Sequence, residues 1–428
     1  MLDIPAAKAR IARFVTTALR DAPLREDLGD YLPFLAAIGE RSFCEQQIAL
    51  AASAFRNGFA TGASFPALRR FRSHLLVPEL NTDTLVGFLE LDLVSHDPSL
   101  LRHAEALVAT LSSDFVQNGN ICGFRIPALR YSAPIARGMN GLYAELLCDF
   151  AAQANEPRYL SQARSFADAW LRNPFFQRHG LFPESSFFRQ QWRNRFLAEA
   201  ATVRQFKPNT SVANGILAVA EATGEPAYRE ALFRWFAAVQ RTLTDSAGAV
   251  YGRWDSRTGR RSEPLLLHAF PTIDLLCDAA HGLKAKELLP QAEALAEFWL
   301  SRRTAIGLIP QHKDGGPTLL DSLTDFSCAL FRLHELTGKQ RYRAAAIELV
   351  EANLSCHAVT PDLAWDFEGG KPTPLPAYVE QVDAATGAPA NRTIKPKFIA
   401  LLLKPLIYLE SGKRMYEDRV LRKLMRDR

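Results

Sequence analysis

The carboxyl groups most able to do chemistry stand where apolar helical stretches meet loops. Asp321 and Asp325, in Asp321-Ser322-Leu323-Thr324-Asp325, are one turn apart and share a helix face. Asp83, in Asn81-Thr82-Asp83-Thr84, and Asp366, close to Glu368, stand at similar boundaries. Two carboxyl groups, one protonated and one ionised, are the equipment for breaking a glycosidic bond. Aspartate also caps helices, which gives Asp83 and Asp321 a structural alternative. Asp325, a turn further in, needs a partner or a task. A second set suits removal of a proton beside a carboxylate. Tyr131, Tyr143 or His268 would be base or acid, with Arg137, Asn140 or Lys397 neutralising the carboxylate. For Tyr143 the alternative is packing, and for His268 a satisfied buried imidazole.

The surroundings of these residues point to the ligand. Long connections near 57–82, 117–138, 173–207, 245–267, 304–320 and 355–392 together carry a net charge of +7, against +5 for the whole chain. Arg125, Arg130, Arg137, Arg189, Arg193, Arg195 and Arg253 supply most of it. The planar guanidinium pairs with carboxylate or sulfate in bidentate fashion, and a cleft of one sign concentrates ligands of the other. Trp192, Trp254, Trp365, Tyr251 and Tyr378 share these segments, and loop tryptophans can stack on sugar rings or anchor the loops. An anionic oligo- or polysaccharide is the expected partner.

The elements that must hold these groups repeat. Leu146-Leu147-Cys148-Asp149 returns as Leu275-Leu276-Cys277-Asp278, and Ala169-Trp170-Leu171 returns as Phe298-Trp299-Leu300, both after 129 residues. Inside that interval an apolar helix runs into a tight polar turn and a second helix begins at once. The turns are Gly39-Glu40, Asp97-Pro98, Asn155-Glu156-Pro157, Thr223-Gly224-Glu225-Pro226, Gly282-Leu283, Thr337-Gly338-Lys339 and Ser411-Gly412-Lys413. Glycine or asparagine ends one helix in the left-handed conformation, and proline suits the first position of the next. Four of the following helices open with a tyrosine: Tyr159, Tyr228, Tyr342 and Tyr416. Tetratricopeptide-like solenoids have a shorter period and uniformly short turns. Alternation of tight turns with long loops predicts a closed ring of helical hairpins, its long loops walling a cleft.

The patterns at Gly138-Met139-Asn140-Gly141-Leu142-Tyr143, Asn209 to Gly215 with Thr223-Gly224-Glu225, and Lys397 to Lys404 resemble the six-hairpin glycosidase superfamily. The resemblance lies in architecture and turn grammar over roughly residues 30–415. It implies an all-α fold, an (α/α)6 toroid with an active site in the loop-walled cleft and room for a seventh hairpin at the N-terminus. Asn140, Tyr143, Asn209 and Lys397, which lie in those patterns, are candidate substrate contacts. A single domain spans 1–428 in this reading, with helices of 1–56 packing on the toroid of 57–428. Hydrolysis of an acidic glycan is the first expectation. A uronate lyase or C5-epimerase, and a non-catalytic binding toroid, are the alternatives.

Other classes are disfavoured. A chain of 428 residues, 48% apolar and 23% charged, is neither disordered nor disulfide-stapled. Its six cysteines form no C-x-x-C pair, and Cys356-His357 lacks further ligands in pattern, so no metal or other cofactor is expected. No Walker-type loop occurs, and +5 is a mild charge for a nucleic-acid binder. Charged residues interrupt the first 23 positions, and no apolar run reaches membrane-spanning length. A cytoplasmic setting with reduced thiols is therefore expected.

Overall fold

The computed structural model describes residues 2–20, 28–53, 55–56, 59–60, 78–117, 120–121, 125–126, 131–132, 135–137, 141–187, 202–359, 366–367, 377–414 and 416. Its helices are α1 Ile4–Leu19, α2 Leu32–Ala37, α3 Arg41–Ser53, α4 Pro78–Ser95, α5 Pro98–Asp114, α6 Leu142–Ala154, α7 Pro157–Leu171 and α8 Pro174–His179. They continue as α9 Thr210–Thr223, α10 Pro226–Ala238, α11 Leu266–Gly282, α12 Leu289–Leu300, α13 Leu320–Thr337, α14 Gln340–Cys356, α15 Pro396–Leu401 and α16 Leu403–Ser411.

Local chemistry sets the boundaries as the turn pattern predicts. Pro98, Pro157 and Pro226 occupy first helical positions, and the Asp97 side chain accepts from the Ser99 amide at 2.9 Å. Asn155, Gly224, Gly338 and Gly412 end inner helices with φ of 54°, 68°, 72° and 63°.

The ring closes. α2, α4, α6, α9, α11, α13 and the α15–α16 pair form an inner circle in which each packs on the next, and α16 returns to α2. α3, α5, α7, α10, α12 and α14 lie outside their inner partners, and α1 covers α15 and α16 from outside. The all-α toroid is therefore observed, with seven inner positions among the described residues. The extra hairpin at the N-terminus is α2–α3.

The repeated residues brace this ring. Trp170, Trp235 and Trp299 stand on successive outer helices and are fully buried. The repeated tyrosines tie each outer helix to the one before: Tyr159 donates to Glu105 (3.3 Å), Tyr228 to Asp168 (2.9 Å) and Tyr342 to Glu293 (3.2 Å). Tyr416 departs from the series and bonds the inner-helix residue Asp278 at 3.0 Å. Between α6 and α9 two glycines let the backbones meet, since a Cβ on Gly215 would stand 2.5 Å from the Gly141 carbonyl oxygen.

Each long connection precedes an inner helix, and neighbouring connections are stitched together. Ile135–Arg137 pairs with Ser185–Phe187, Thr202–Arg204 with Arg253–Asp255, and Pro317–Leu319 with Gln381–Asp383, all antiparallel. A bridge from Leu265 to His312 joins a further pair. These pairings gather the connections before α6, α9, α11, α13 and α15 at one rim, above the N-termini of those helices. Among the described residues no helix is long and apolar enough to cross a membrane.

Candidate active site

The rim's clearest chemical cluster forms where α13 begins. Strand Gln381–Asp383 pairs with Pro317–Leu319, and the Leu320 amide donates to the Glu380 carbonyl at 3.0 Å, which seats Glu380 beside the first turn of α13. Asp321 and Asp325 follow on that helix, one turn apart. Lys404 of α16 reaches Asp325 with Nζ to Oδ1 at 2.7 Å, and both side chains are largely buried. Lys395 pairs with Glu380 at 2.7 Å, and Asn391 donates to the other Glu380 oxygen at 3.0 Å. Three carboxyl groups are thus gathered with two ammonium groups.

The third carboxyl group is Asp321. Burial, then the charge of Asp325, push its pKa up to about 6; Glu380 adds to the rise, while the Ser322 amide and Lys395 oppose it. Burial works most strongly against the Lys404 ammonium, yet the charge and hydrogen bond of Asp325 together with Cys328 and Asp30 hold the lysine pKa above its ordinary value. Two lysines balance two carboxylates, and the remaining one favours a proton.

Below this cluster the ring axis is charged. Arg332 lies 2.8 Å from Asp274 and 3.9 Å from Asp278, all three deeply buried. Burial raises the Asp274 pKa to about 7 against the pull of Arg332. Asp321, Asp325 and Arg332 fall on one face of α13, so the charge on the axis continues that of the rim.

His268, in the first turn of α11, is nearly enclosed. Burial, with help from Arg204 and Arg253, pushes its pKa down to about 4 and keeps the ring neutral. Its Nδ1 has no hydrogen-bond partner. The ring lies against Gly252, where a Cβ would approach Cε1 to 2.2 Å. Trp254, two residues on, packs edge-on against His179 (5.3 Å) and Phe175 (6.4 Å) of α8 and is half-buried. Arg253 is exposed, with Glu184 at 3.8 Å. Lys397 is half-buried, its Nζ 5.3 Å from the Phe398 ring.

Two expected contacts are corrected. Tyr143 is buried between layers with its hydroxyl 3.0 Å from Ser112 of α5, so it packs α6 on the outer helix of the preceding hairpin. Asn209 is fully buried and its amide is engaged: Oδ1 accepts from Phe182 N (2.9 Å) and Trp235 Nε1 (2.8 Å), and Nδ2 donates to Gln205 at 2.6 Å. It orders the entry to α9 and, being fully buried, is not presented to a substrate. Asn140, Trp192, Trp365 and Glu368 lie outside the described residues. The side chains of Asp83, Arg125, Tyr131, Arg137 and Asp366 do so as well, although their backbone belongs to α4 or to rim strands. The Asp366 backbone pairs with Thr393, two residues before Lys395.

Glu380, Lys395 and Lys404 were not anticipated. Lys404 did carry a signal, because a single ammonium inside the apolar run from Ile399 to Leu406 must find a counter-charge. Glu380 carried none, since only the pairing of distant strands brings it to α13. Among the described residues no group of three His, Cys, Asp or Glu is arranged to hold a metal ion. His357 turns Nδ1 to the Val379 carbonyl at 2.8 Å.

No family model and no curated protein matches this sequence. Solved structures do match. The alpha-1,2-mannosidase from Trichoderma reesei superposes with a TM-score of 0.67 at 12% identity, over 97% of this chain and 95% of its own. A sugar epimerase from a ruminal bacterium gives 0.60 at 11%, over 79% and 88%. An unsaturated glucuronyl hydrolase specific for heparin gives 0.54 at 12%, over 90% and 98%. At these identities the likeness is one of fold: this chain shares the all-α toroid of these structures.

Proposed function

We propose that the protein is a carbohydrate-active enzyme that hydrolyses a glycosidic bond in an acidic glycan, with Asp321 as the proton donor. The observation that carries this reading is the imbalance at the head of α13, where two lysines neutralise Asp325 and Glu380 and leave Asp321 with a pKa near 6. A carboxyl group that keeps its proton up to about pH 6 can deliver it to the leaving oxygen in mildly acid solution as the bond breaks. Asp325, with Lys404 as its counter-ion, is the ionised partner that attacks the anomeric carbon or activates water. The basic rim and Trp254 provide for a negatively charged sugar chain. Shared fold with hydrolases of uronate and mannose linkages supports the class without selecting the sugar.

Incubation with uronate-containing and neutral oligosaccharides, followed by release of reducing ends, tests the reading. Asp321→Asn is expected to lower kcat by about 10²–10⁴-fold while glycan binding persists. Unchanged turnover in that variant defeats the assignment. One observation favours a second reading, proton abstraction by His268, whose ring is neutral and has Nδ1 unpaired. In that case His268→Asn removes activity and Asp321→Asn does not, and the product is either a 4,5-unsaturated uronate beside the new reducing end (elimination) or an uncleaved chain inverted at C5 (epimerisation).

A further inference from the structure

The entry to α9 combines two unfavourable features at one place on the rim. Lys207 has φ 66° and ψ −74°, a backbone conformation that a lysine adopts only under constraint. The constraint is visible on both sides. Gln205 takes its amide to the Gly252 carbonyl at 2.9 Å and its side chain to Thr272 at 2.9 Å, while Asn209 bonds Gln205 at 2.6 Å. Gln205, Pro208 and Asn209 are buried, and Lys207 between them is exposed. Three residues earlier, Arg204 stands directly opposite Arg253 in the antiparallel pair, where like charges repel. Both features work against stability, and both present cations.

The acids nearby do not cancel them. Glu184 lies 3.8 Å from Arg253, a loose pair. Asp255 accepts from the Arg257 and Thr258 amides of its own turn, and Glu263 faces His312 at 3.1 Å. Beneath the strands His268, nine-tenths buried, is held neutral with Nδ1 unpartnered. Arg204 and Arg253 face each other and act on the buried His268 ring, and Lys207 follows three residues on with its ammonium 5.6 Å from the Phe206 ring; like charges held this near one another suit an incoming anion better than they suit the empty protein.

We propose that Arg204, Lys207 and Arg253 form an anion subsite that receives a carboxylate or sulfate group of the glycan, separate from the carboxyl cluster at α13. Its ligand class rests on the glycan reading above, but its existence does not rest on Asp321. Lys207 is the specificity-determining member, because the chain accepts a strained backbone to present it.

Calorimetric titration of the full chain with trigalacturonate, maltotriose and inorganic sulfate tests this. Trigalacturonate is expected to bind at least about tenfold more tightly than maltotriose. Arg204→Gln and Lys207→Gln should each weaken trigalacturonate about tenfold, the loss of one charge-assisted hydrogen bond, and leave maltotriose unchanged. Competition by sulfate identifies a site for either anion, and its absence with trigalacturonate still bound identifies one for carboxylate; both support the subsite. Lys207→Gly separates function from folding: it should raise the thermal midpoint, because glycine relieves the strain, while trigalacturonate affinity falls. Equal losses for both sugars, or maltotriose binding as tightly as trigalacturonate, overturn the proposal. Asp321→Asn should leave every one of these affinities intact. If that variant retains turnover, the proton-donor reading fails and the subsite stands.

Discussion

At the scale of single residues the molecule is governed by where its charges find partners. Asp321 is set apart from Asp325 and Glu380 by having no lysine of its own, and its raised pKa follows from burial beside a neighbouring negative charge. A proton donor is active while protonated, so activity should fall as pH rises through about 6. Lys395 favours the ionised form of Asp321, so Lys395→Met should move that fall to higher pH. A pH profile of kcat/KM on the best substrate checks it, and a shift to lower pH contradicts the placement of Lys395. The same reasoning explains why Asp325 was legible as needing a partner while the partner was not: the demand is local and the supply comes from α16, 79 residues later.

At the scale of elements, what is written locally is easy to read and what depends on contact is not. Proline starts, left-handed stops and the recurring Tyr and Trp all act within a few residues, and the hairpins follow from them. The crossing of α6 on α9 shows the other case. In isolation, alanine at Gly215 would favour the helix by about 1 kcal/mol. In the ring its Cβ would stand 2.5 Å from the Gly141 carbonyl oxygen and 3.1 Å from Ala144 Cβ, contacts that rigid backbone relieves only by shifting a whole helix. Overpacking of this kind costs about 1–3 kcal/mol, so the clash should win. Gly215→Ala is expected to lower the urea midpoint, and a midpoint raised by the substitution would show that α6 and α9 can separate freely. Asn209 misled for a related reason. Its type and loop position suit a ligand, but Trp235 and the Phe182 amide claim its oxygen across the fold.

At the scale of the whole molecule, the gathering of long connections at one rim was legible because the alternation of short and long links leaves a ring of hairpins no other arrangement. How the ring closes was not, since nothing in the order of hairpins says that the first helix covers the last. α1 lies outside α15 and α16 and buries Ile11, Phe14, Val15 and Leu19 completely. Its end is tied to α3 by Gln47, which donates to the Leu19 carbonyl at 3.3 Å, and Lys8 pairs with Glu410. Each of those four side chains contributes about 1.5–3 kcal/mol on burial, on the order of 6–12 kcal/mol together, which is comparable with the whole stability of a typical domain. Removal of residues 1–19 should therefore open the ring between α16 and α2. The expected result is loss of a cooperative urea transition, and a peptide of residues 1–20 added in trans should restore it in part, because the groove it leaves is apolar and matched to one helix face. A truncated chain that still unfolds cooperatively, with a midpoint near that of the full chain, would show that α15 and α16 close on α2 without the outer helix. In that event the Lys404–Asp325 pair, which depends on the seating of α16, would need no support from the N-terminus either.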